Sequence, residues 1–357
     1  MTVKKFLCIV AICSVSAGSA VFADAYESAV TASAGEYAPK ELIPLGVASG
    51  IRLFSGGASV VGINPVDTGE GQKTPAREAG IKVGDVVTSL DGESIGSIDD
   101  VISFMDGFRG GELEVGFLRG DEAKRETITP RRASDGAWKL GLTIRDSEAG
   151  IGTLTYLDPR TGEFGGLGHG IQDPGTGRLF DMKSGDASGV IITGIVKGSK
   201  DEPGEIMGML LEGENQTGSV LLNTDRGVYG EMTPDSPLFG LSALKIASND
   251  EITEGKAWIL SDVLSNGVEK FEIEIEKVYN AKKNSNKNML IRVTDERLLS
   301  ATGGIIQGMS GSPIIQNGKL AGAVTHVLVH DPIRGYAISI ENMFAGSPLY
   351  SDEAYAA

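Results

Sequence analysis

From residue 131 onward, the chain consists of short stretches in which apolar and polar residues alternate, such as GIGTLTYLD, KFEIEIEKV and GKLAGAVTHVLV. An alternation with a period of two is typical of β-strands that bury one face. Glycine, proline and asparagine separate the stretches, and Asn317-Gly318 is a strong signal for a hairpin turn. Only residues 295–300 suit a short turn of helix. The pattern predicts an all-β barrel or a double barrel in residues 131–357.

Residues 42–130 have a mixed pattern. Glycine-separated apolar runs predict strands, residues 75–79 fit a short helix, and a second helix is expected to begin near Ser97 or Asp99. The phrase AGIKVGDVVTSLDGESI resembles the PDZ domains of bacterial exported proteases. The resemblance implies a small α/β domain that binds an extended peptide at a sheet edge, with the amides of one loop holding a terminal carboxylate.

The expected peptide-binding loop contains Gly50, Ile51, Arg52 and Leu53. Its sequence departs from the Gly-Leu-Gly-Phe form that is common in PDZ domains. The alternative interpretation is that these residues form a packed strand.

The first 23 residues have a basic start, an apolar run and small residues before Ala23, which is the layout of an export signal. An uncleaved membrane anchor is the alternative, because the apolar run is close to a spanning length. Residues 24–41, rich in Ala, Ser and Glu, are expected to form a flexible segment. The protein is therefore expected outside the cytoplasm, either secreted or anchored.

The charge and the cysteines exclude several kinds of function. The formal net charge of -16 disfavours nucleic acid as a partner, because phosphate binding needs a basic face. Both cysteines, Cys8 and Cys13, lie in the export segment, which excludes disulfides and a cysteine nucleophile from the rest of the chain. The three histidines lack a zinc-binding spacing, and neither a metal nor another cofactor is expected.

The sequence GMSGSP, Gly308 to Pro313, is the strongest candidate for chemistry. An α/β-hydrolase elbow is disfavoured because Pro313 and a hairpin follow the serine where that fold needs a helix. The sequence instead resembles the G-D-S-G-G-P turn of chymotrypsin-like serine proteases. Ser310 is then the candidate nucleophile, and the amides of Gly308 and Ser310 form the candidate oxyanion hole. An ordinary loop between two strands is the alternative.

A serine nucleophile needs a base, and histidine is the usual one near neutral pH. His169 is the preferred candidate because glycines flank it and because it precedes the serine, as in chymotrypsin-like enzymes. Thr325 and His326 follow the serine hairpin, where such folds build a wall of the specificity pocket. His326 would recognise a polar or acidic side chain there, or it is a buried structural histidine.

At greater length, the phrases RDSEAGIGTLTYLDPRTGEFGGLGHGIQDPGTG and GMSGSPIIQNGKLAGAVTHVLVHDPIRGYAISIENM resemble the stage IV sporulation protein B family, the S55 serine peptidases. The likeness extends over residues 42–343. It implies a PDZ domain followed by a chymotrypsin-like double β-barrel. It also implies an exported endopeptidase of endospore formation, placed between the forespore and mother-cell membranes. The expected substrate is a membrane protein that regulates an intramembrane protease, which in turn processes a late sigma factor.

The resemblance places His169 and Ser310 in the catalytic site and makes Asp295 the third member of a triad. Asp295 also fits the N-cap of a helix, and Asp173 and Asp225 are weaker candidates for the acid. The competing function is a peptide-binding scaffold with a protease fold and no turnover. The presence of Ser310, His169 and Gly308 together favours the enzyme, because a scaffold needs none of the three.

Overall fold

The computed structural model describes residues 39–211, 216–264, 267–279 and 285–347. The export signal or anchor predicted for residues 1–23 lies outside these ranges, as does most of the flexible segment predicted for residues 24–41. All described residues belong to one unit, Pro39–Ser347. None of the described helices is both long enough and apolar enough to cross a membrane.

The strands are β1 (Glu41–Ile63), β2 (Val66–Asp67), β3 (Gln72–Lys73), β4 (Val86–Leu90), β5 (Glu93–Ser94), β6 (Leu113–Arg119), β7 (Glu122–Ile128), β8 (Arg131–Arg132), β9 (Trp138–Lys139), β10 (Leu142–Leu157), β11 (Glu163–Gly166), β12 (Ser184–Val196), β13 (Glu205–Leu210), β14 (Gln216–Thr224), β15 (Gly227–Met232), β16 (Leu244–Lys245), β17 (Gly255–Ser261), β18 (Glu269–Val278), β19 (Met289–Val293), β20 (Pro313–Gln316), β21 (Lys319–Leu328) and β22 (Asp331–Ser339). The α-helices are α1 (Pro75–Glu78), α2 (Ile98–Gly107), α3 (Glu296–Thr302) and α4 (Ile340–Phe344), and short 3-10 helices occupy Pro237–Gly240 and Asn249–Glu251.

Two closed barrels form the larger part of the fold. In the first barrel the antiparallel pairs run β1, β10, β11, β15, β14, β12 and back to β1. Its core includes Leu53, Leu154 and Phe164. The second barrel closes in the order β17, β18, β19, β22, β21 and β20 around side chains such as Phe271 and Ile291. Closure leaves no exposed strand edge in either ring, and the predicted double barrel is confirmed.

The PDZ-like module uses the ends of two barrel strands. Its sheet runs from the start of β10 through the end of β1 to β4, β6 and β7. Ser97 is the N-cap of helix α2, as the sequence indicated, and it forms a capping box in which Ser97 and Asp100 exchange hydrogen bonds. The module packs on a core of its own that includes Val60, Phe117 and Leu140.

The predicted domain boundary at residues 42 and 130 is wrong at both ends. The first half of β1 belongs to the first barrel, where Ile43, Ile51 and Leu53 lie in the core. The module begins instead near Ala58, and its core includes Leu140 beyond the predicted end. The pairing of β1 with β10 shifts in register between Phe54 and Ser59. Such a bulge re-aims a strand without interrupting its apolar pattern, so the sequence gives no sign of the change of domain.

Candidate active site

The serine loop of residues 307–312 enters strand β20 and lies directly against β10 of the first barrel. Gly311 has φ +96°, and a Cβ at this position would lie 1.9 Å from the carbonyl oxygen of Thr153. Only glycine permits that approach. The Ser310 hydroxyl is half-buried and donates a hydrogen bond of 2.9 Å to the carbonyl of Thr325. The loop is therefore a strand connection that also presents the candidate nucleophile, as the sequence indicated.

Two buried threonines of β10 hold the serine loop. The Thr153 amide donates to the Ser310 carbonyl over 2.9 Å, and its hydroxyl donates to the Gly308 carbonyl over 2.8 Å. The Thr155 hydroxyl donates to the Gly311 carbonyl over 2.8 Å. Neither threonine belongs to a motif that marks it as a site residue in the sequence. The available signal was their spacing of two in an otherwise apolar strand, which places both hydroxyls on one face.

The amides of Gly308 and Ser310 have no hydrogen-bond acceptor among the described residues. The Gln307 carbonyl accepts a bond of 2.9 Å from the Ile206 amide, and the Met309 carbonyl accepts one of 3.0 Å from the Ser312 amide. In a trans peptide the N–H points away from the preceding carbonyl. The Gly308 N–H therefore points away from the Ile206 amide and the Ser310 N–H away from the Ser312 amide, and both remain candidate donors to an oxyanion.

Met309 stands where the chymotrypsin-like turn has an aspartate. Its side chain is fully buried in the core of the second barrel. The serine loop is thus anchored by apolar packing on one side and by the threonine hydroxyls on the other. Neither attachment involves an ion pair.

His169 follows strand β11 at the end of a sharp turn. Leu167 and Gly168 both have left-handed backbone conformations, with φ of 67° and 68°. The Nδ1 atom of His169 lies 3.0 Å from the carbonyl oxygen of Gly170. Since a carbonyl can only accept a hydrogen bond, Nδ1 carries the proton of the neutral ring. Nε2 is then the nitrogen that can accept a proton from a nucleophile.

One cavity of about 280 Å³ joins the candidate groups. Its lining includes His169, Gly308 and Ser310. The structure thus brings the predicted base, nucleophile and oxyanion-hole glycine to the same space. The Ser310 hydroxyl bonds to Thr325 rather than to His169. In structures without substrate, catalytic hydrogen bonds of this kind are often long or absent and tighten only when the substrate is bound.

The imidazole of His326 lies beside that of His169, with ring centroids 5.1 Å apart and planes tilted by 39°. Burial, together with the proximity of His169 and Lys287, lowers the pKa of His326 to about 4. Its Nδ1 is buried and has no hydrogen-bond partner among the described residues. His326 is therefore neutral near pH 7 and suits a polar contact better than the binding of an acidic side chain. Neighbouring Thr325 donates its hydroxyl to the Asn286 carbonyl over 3.1 Å.

Burial also lowers the pKa of His169, although the hydrogen bond to the Gly170 carbonyl opposes this effect by favouring the imidazolium. A lowered pKa keeps the ring neutral at physiological pH. His169 is therefore ready to accept a proton under these conditions.

Asp295 does not orient His169 in this structure, which corrects the predicted triad. Its carboxylate caps helix α3, accepting bonds from the Arg297 amide over 3.0 Å and the Glu272 amide over 3.3 Å. It also pairs with the Arg297 guanidinium at 3.0 Å. Among the described residues, no bond joins it to His169. The alternative interpretation as an N-cap is the one that the structure supports, because a short helix leaves amides that a carboxylate satisfies.

The weaker acid candidates do not contact His169 either. Asp173 accepts a bond of 2.7 Å from the Thr176 amide within its own turn. The Asp225 side chain is 69% exposed and lies 3.9 Å from the guanidinium of Arg226. Within the described part of the chain, only the Gly170 carbonyl contacts Nδ1 of His169.

The predicted peptide-binding loop at Gly50, Ile51, Arg52 and Leu53 is wrong. These residues lie inside β1, which pairs with β10 on one side and with β12 on the other. A strand with partners on both edges has no free main-chain groups for a peptide. The alternative of a packed strand is correct.

An apolar groove of about 460 Å³ lies elsewhere in the PDZ-like module, between helix α2 and the start of β10. Its lining includes Ile102, Met105 and Trp138, and it reaches the sequence Leu140-Gly141-Leu142. At this point β10 is the terminal strand of the module's sheet, with only β1 beside it. The groove therefore combines an available strand edge with apolar side chains.

Among the described residues, no three His, Cys, Asp or Glu side chains cluster as metal ligands.

Two family models match the chain. The model of the SpoIVB peptidase S55 matches residues 136–344, and a PDZ-domain model matches residues 66–119. No curated protein matches the chain in sequence.

Several solved structures are similar to parts of the chain. The PDZ domain of an SdrC-like protein from Listeria monocytogenes is 21% identical, covers 25% of this chain and 87% of its own, and has a TM-score of 0.21. The active form of the Rv3671c protease from M. tuberculosis is 13% identical over 56% of this chain and 73% of its own, with a TM-score of 0.34. The HtrA-type protease AlgW with a decapeptide is 13% identical over 57% and 52% of the two chains, with a TM-score of 0.32.

Proposed function

The chain belongs to the SpoIVB peptidase S55 family and is a serine peptidase with a PDZ domain, and we propose that Ser310 is its nucleophile and His169 its general base. One observation carries this assignment: the neutral imidazole of His169, the Ser310 side chain and the Gly308 backbone line a single cavity. The free amides of Gly308 and Ser310 supply the oxyanion hole. The Gly170 carbonyl accepts a hydrogen bond from Nδ1 of His169 and so keeps the proton of the neutral ring on Nδ1. In the Ser-His-Asp triad an aspartate has this role.

In the proposed reaction, the Ser310 hydroxyl leaves the Thr325 carbonyl and turns to Nε2 of His169. Nε2 takes the hydroxyl proton while Oγ attacks the carbonyl carbon of the scissile bond. The resulting oxyanion accepts hydrogen bonds from the Gly308 and Ser310 amides. The imidazolium then gives its proton to the leaving nitrogen, which breaks the peptide bond and leaves an ester on Ser310. A water molecule then attacks the ester while Nε2 takes its proton. The bond between the acyl carbon and Oγ breaks, Oγ takes the proton back from the imidazolium, and the acyl fragment leaves as a carboxylic acid.

The proposed biological role is cleavage of a membrane-protein regulator during endospore formation, which starts the intramembrane processing of a late sigma factor. Membership of the family supports this role. The apolar segment in residues 1–23 supports export across the cytoplasmic membrane, with the chain either released or anchored. The proposed role and the proposed export together imply an active site between the forespore and mother-cell membranes.

We also propose that the apolar groove between α2 and β10 holds an extended peptide of the substrate or of a regulatory partner. The main-chain groups at the start of β10 would pair with the peptide, and Ile102 and Met105 would contact its side chains. The Ile102 side chain is 52% exposed, so Ile102→Asp changes the groove without opening the core. This variant should cleave a short unstructured peptide normally and the full membrane substrate more slowly. Equal rates of wild type and variant on both substrates would contradict a docking role.

A catalytic test uses the full-length chain with an unfolded protein as substrate. Ser310→Ala and His169→Ala should each abolish cleavage, with a similar residual rate because the two residues act as a unit. Ser312→Ala is the matched control, since the Ser312 hydroxyl is buried without a partner among the described residues and its removal breaks no bond. Undiminished cleavage by Ser310→Ala would refute the assignment. If all variants fold and bind peptide but even the wild type cleaves nothing, the chain is a peptide-binding scaffold.

A further inference from the structure

Aliphatic residues on strands and turns of the first barrel supply part of the lining of the catalytic cavity. Ile51 of β1, Ile151 of β10, and Leu167 and Ile171 on either side of His169 contribute to the lining. Gly150 of β10 lies in the same wall. Apart from the titratable ring of His169, no acidic or basic side chain lines the cavity.

The position of this space relative to the catalytic groups identifies the part of a substrate that enters it. The base must protonate the leaving nitrogen, so the leaving fragment lies on the side of His169. The acyl fragment is expected along β21, the strand after the serine hairpin, whose Thr325 carbonyl accepts the Ser310 hydroxyl. Neither Thr325 nor His326 lines the cavity. This lining favours the leaving fragment as the occupant of the aliphatic part of the cavity.

On the basis of the proposed function, we propose that this space is a specificity site for a large apolar side chain on the leaving fragment. The side chain belongs to one of the first two residues after the scissile bond. Substrates would then be segments that carry Leu, Ile, Met or Phe directly C-terminal to the cut. We refer to the space as the leaving-group pocket.

The dimensions and chemistry of the leaving-group pocket fit such a side chain. A cavity of about 150 Å³ lined by aliphatic and aromatic side chains is sufficient to bind benzene, and the catalytic cavity here measures about 280 Å³. Apart from His169 and the uncharged polar residues Gln307 and Ser310, the lining residues are apolar or glycine. A charged side chain would find no carboxylate, lysine or arginine partner in this lining, and its desolvation would be unfavourable. An aliphatic or aromatic side chain gains by leaving water.

Gly150 offers a direct way to fill the leaving-group pocket. Apart from Gly150 itself and its two neighbours in the chain, no described atom lies within 4 Å of the position that a Cβ would take at Gly150. The backbone there does not have a positive φ, and β-branched residues are favoured in strands. Gly150→Val should therefore fold and occupy part of the space, and Gly150→Ala should have a smaller effect of the same kind. Gly240→Val is a matched control, because Gly240 also has open space at its Cβ position and lies outside the cavity lining.

The first experiment incubates the full-length chain with a proteome-derived peptide library and identifies the cleavage sites by mass spectrometry. Ser310→Ala supplies the blank. Sites that depend on Ser310 should be enriched in Leu, Ile, Met and Phe at the first or second position after the cut. Cleavage without that enrichment, or with a preference confined to the acyl side, overturns the pocket and leaves the proposed function intact. The absence of any Ser310-dependent cleavage overturns both.

The second experiment compares two peptides that differ only in having Leu or Ala at the enriched position. The wild type and Gly240→Val should prefer the Leu peptide in kcat/KM by on the order of tenfold or more, as apolar pockets do. Gly150→Val should lose most of this preference while still cleaving the Ala peptide, and Gly150→Ala should be intermediate. An unchanged preference in a folded Gly150→Val variant contradicts the proposal.

Discussion

The hydroxyl of Thr153 donates a hydrogen bond of 2.8 Å to the carbonyl oxygen of Gly308, joining a strand of the first barrel to the serine loop of the second. The Thr153 amide donates to the Ser310 carbonyl in the same loop. The two barrels therefore meet at the peptide groups that form the proposed oxyanion hole. Catalysis should depend on this junction as well as on the catalytic side chains.

Thr153→Val should reduce turnover while preserving the fold. Valine has nearly the same shape as threonine and keeps the amide bond, but it leaves the Gly308 carbonyl without its hydroxyl donor. A displacement of about 1 Å in an active site can cost on the order of 10²-fold in rate, so we expect a loss of kcat between about tenfold and that value. Thr153→Ser keeps the hydroxyl and should retain most activity. Equal kcat for Thr153→Val and wild type, measured with comparable melting temperatures, would show that the hydroxyl does not position the loop.

Asp295→Asn should have little effect on either stability or turnover. Asparagine is as good an N-cap as aspartate, because its side-chain oxygen can still accept the Arg297 amide. The change removes the ion pair with Arg297, whose side chain is 55% exposed, and one of the two oxygens that accept backbone amides, so stability should fall slightly and turnover should hardly change. Asp295→Ala, which removes the cap, should lower the free energy of unfolding by about 1 kcal/mol. If Asp295 instead oriented His169, the Asn variant would lose on the order of 10⁴ in kcat. Steady-state kinetics of this variant therefore distinguish a cap from a triad member.

The pH dependence of kcat/KM should show an acidic limb below the ordinary histidine value of about 6.5. Burial lowers the pKa of His169, and only its neutral form accepts the serine proton. Activity should therefore be complete at neutral pH and should fall only as the pH drops through the lowered pKa. A midpoint well above pH 6.5 would mean that His169 is stabilised as an imidazolium, which would require a negatively charged partner.

Glu163 should make the protein less stable as the pH rises. Its carboxyl group is buried beside Tyr156 and Ser347, and burial raises its pKa to about 8. The folded state therefore holds this proton between the ordinary carboxyl pKa, about 4.3, and about 8, where the unfolded chain has lost it. The stabilisation is complete below the unfolded pKa and is lost as the pH rises through the folded pKa.

Glu163→Gln tests this effect because the amide is neutral at every pH and its oxygen still accepts hydrogen bonds. Between pH 5 and pH 8 the melting temperature of the wild type should fall relative to that of Glu163→Gln. If the melting temperatures of the two proteins change in parallel between pH 5 and pH 8, Glu163 does not carry the proton in the folded state.

The sequence predicted the parts of the site that depend on local chain geometry. The glycines around Ser310 and His169 mark turns whose backbone conformations few other residues adopt, so the turns are visible in the sequence. The Asn317-Gly318 hairpin is confirmed, with positive φ at both residues. The double barrel followed from alternation, because each strand has one face in a core.

The parts that depend on pairing between distant strands were not predictable. Ile51 and Leu53 are apolar and would suit the core of either domain. Only the strands that pair with β1 show that these two residues belong to the first barrel. The anchoring hydroxyls of Thr153 and Thr155 act across more than 150 residues of sequence. A cap and a catalytic aspartate look alike in sequence, and only the position of His169 relative to Asp295 separates them.

The most direct test of the proposed catalytic assignment is the covalent labelling of Ser310 by an organophosphonate that reacts with activated serines. The label forms a bond to the attacking Oγ and loses its leaving group, so intact-mass and peptide-mass spectrometry locate it without knowledge of the natural substrate. We predict stoichiometric labelling at Ser310 in the wild type and in Ser312→Ala, no labelling in Ser310→Ala, and a rate lowered by orders of magnitude in His169→Ala. Labelling at another residue, or an undiminished rate in a folded His169→Ala variant, would contradict the assignment.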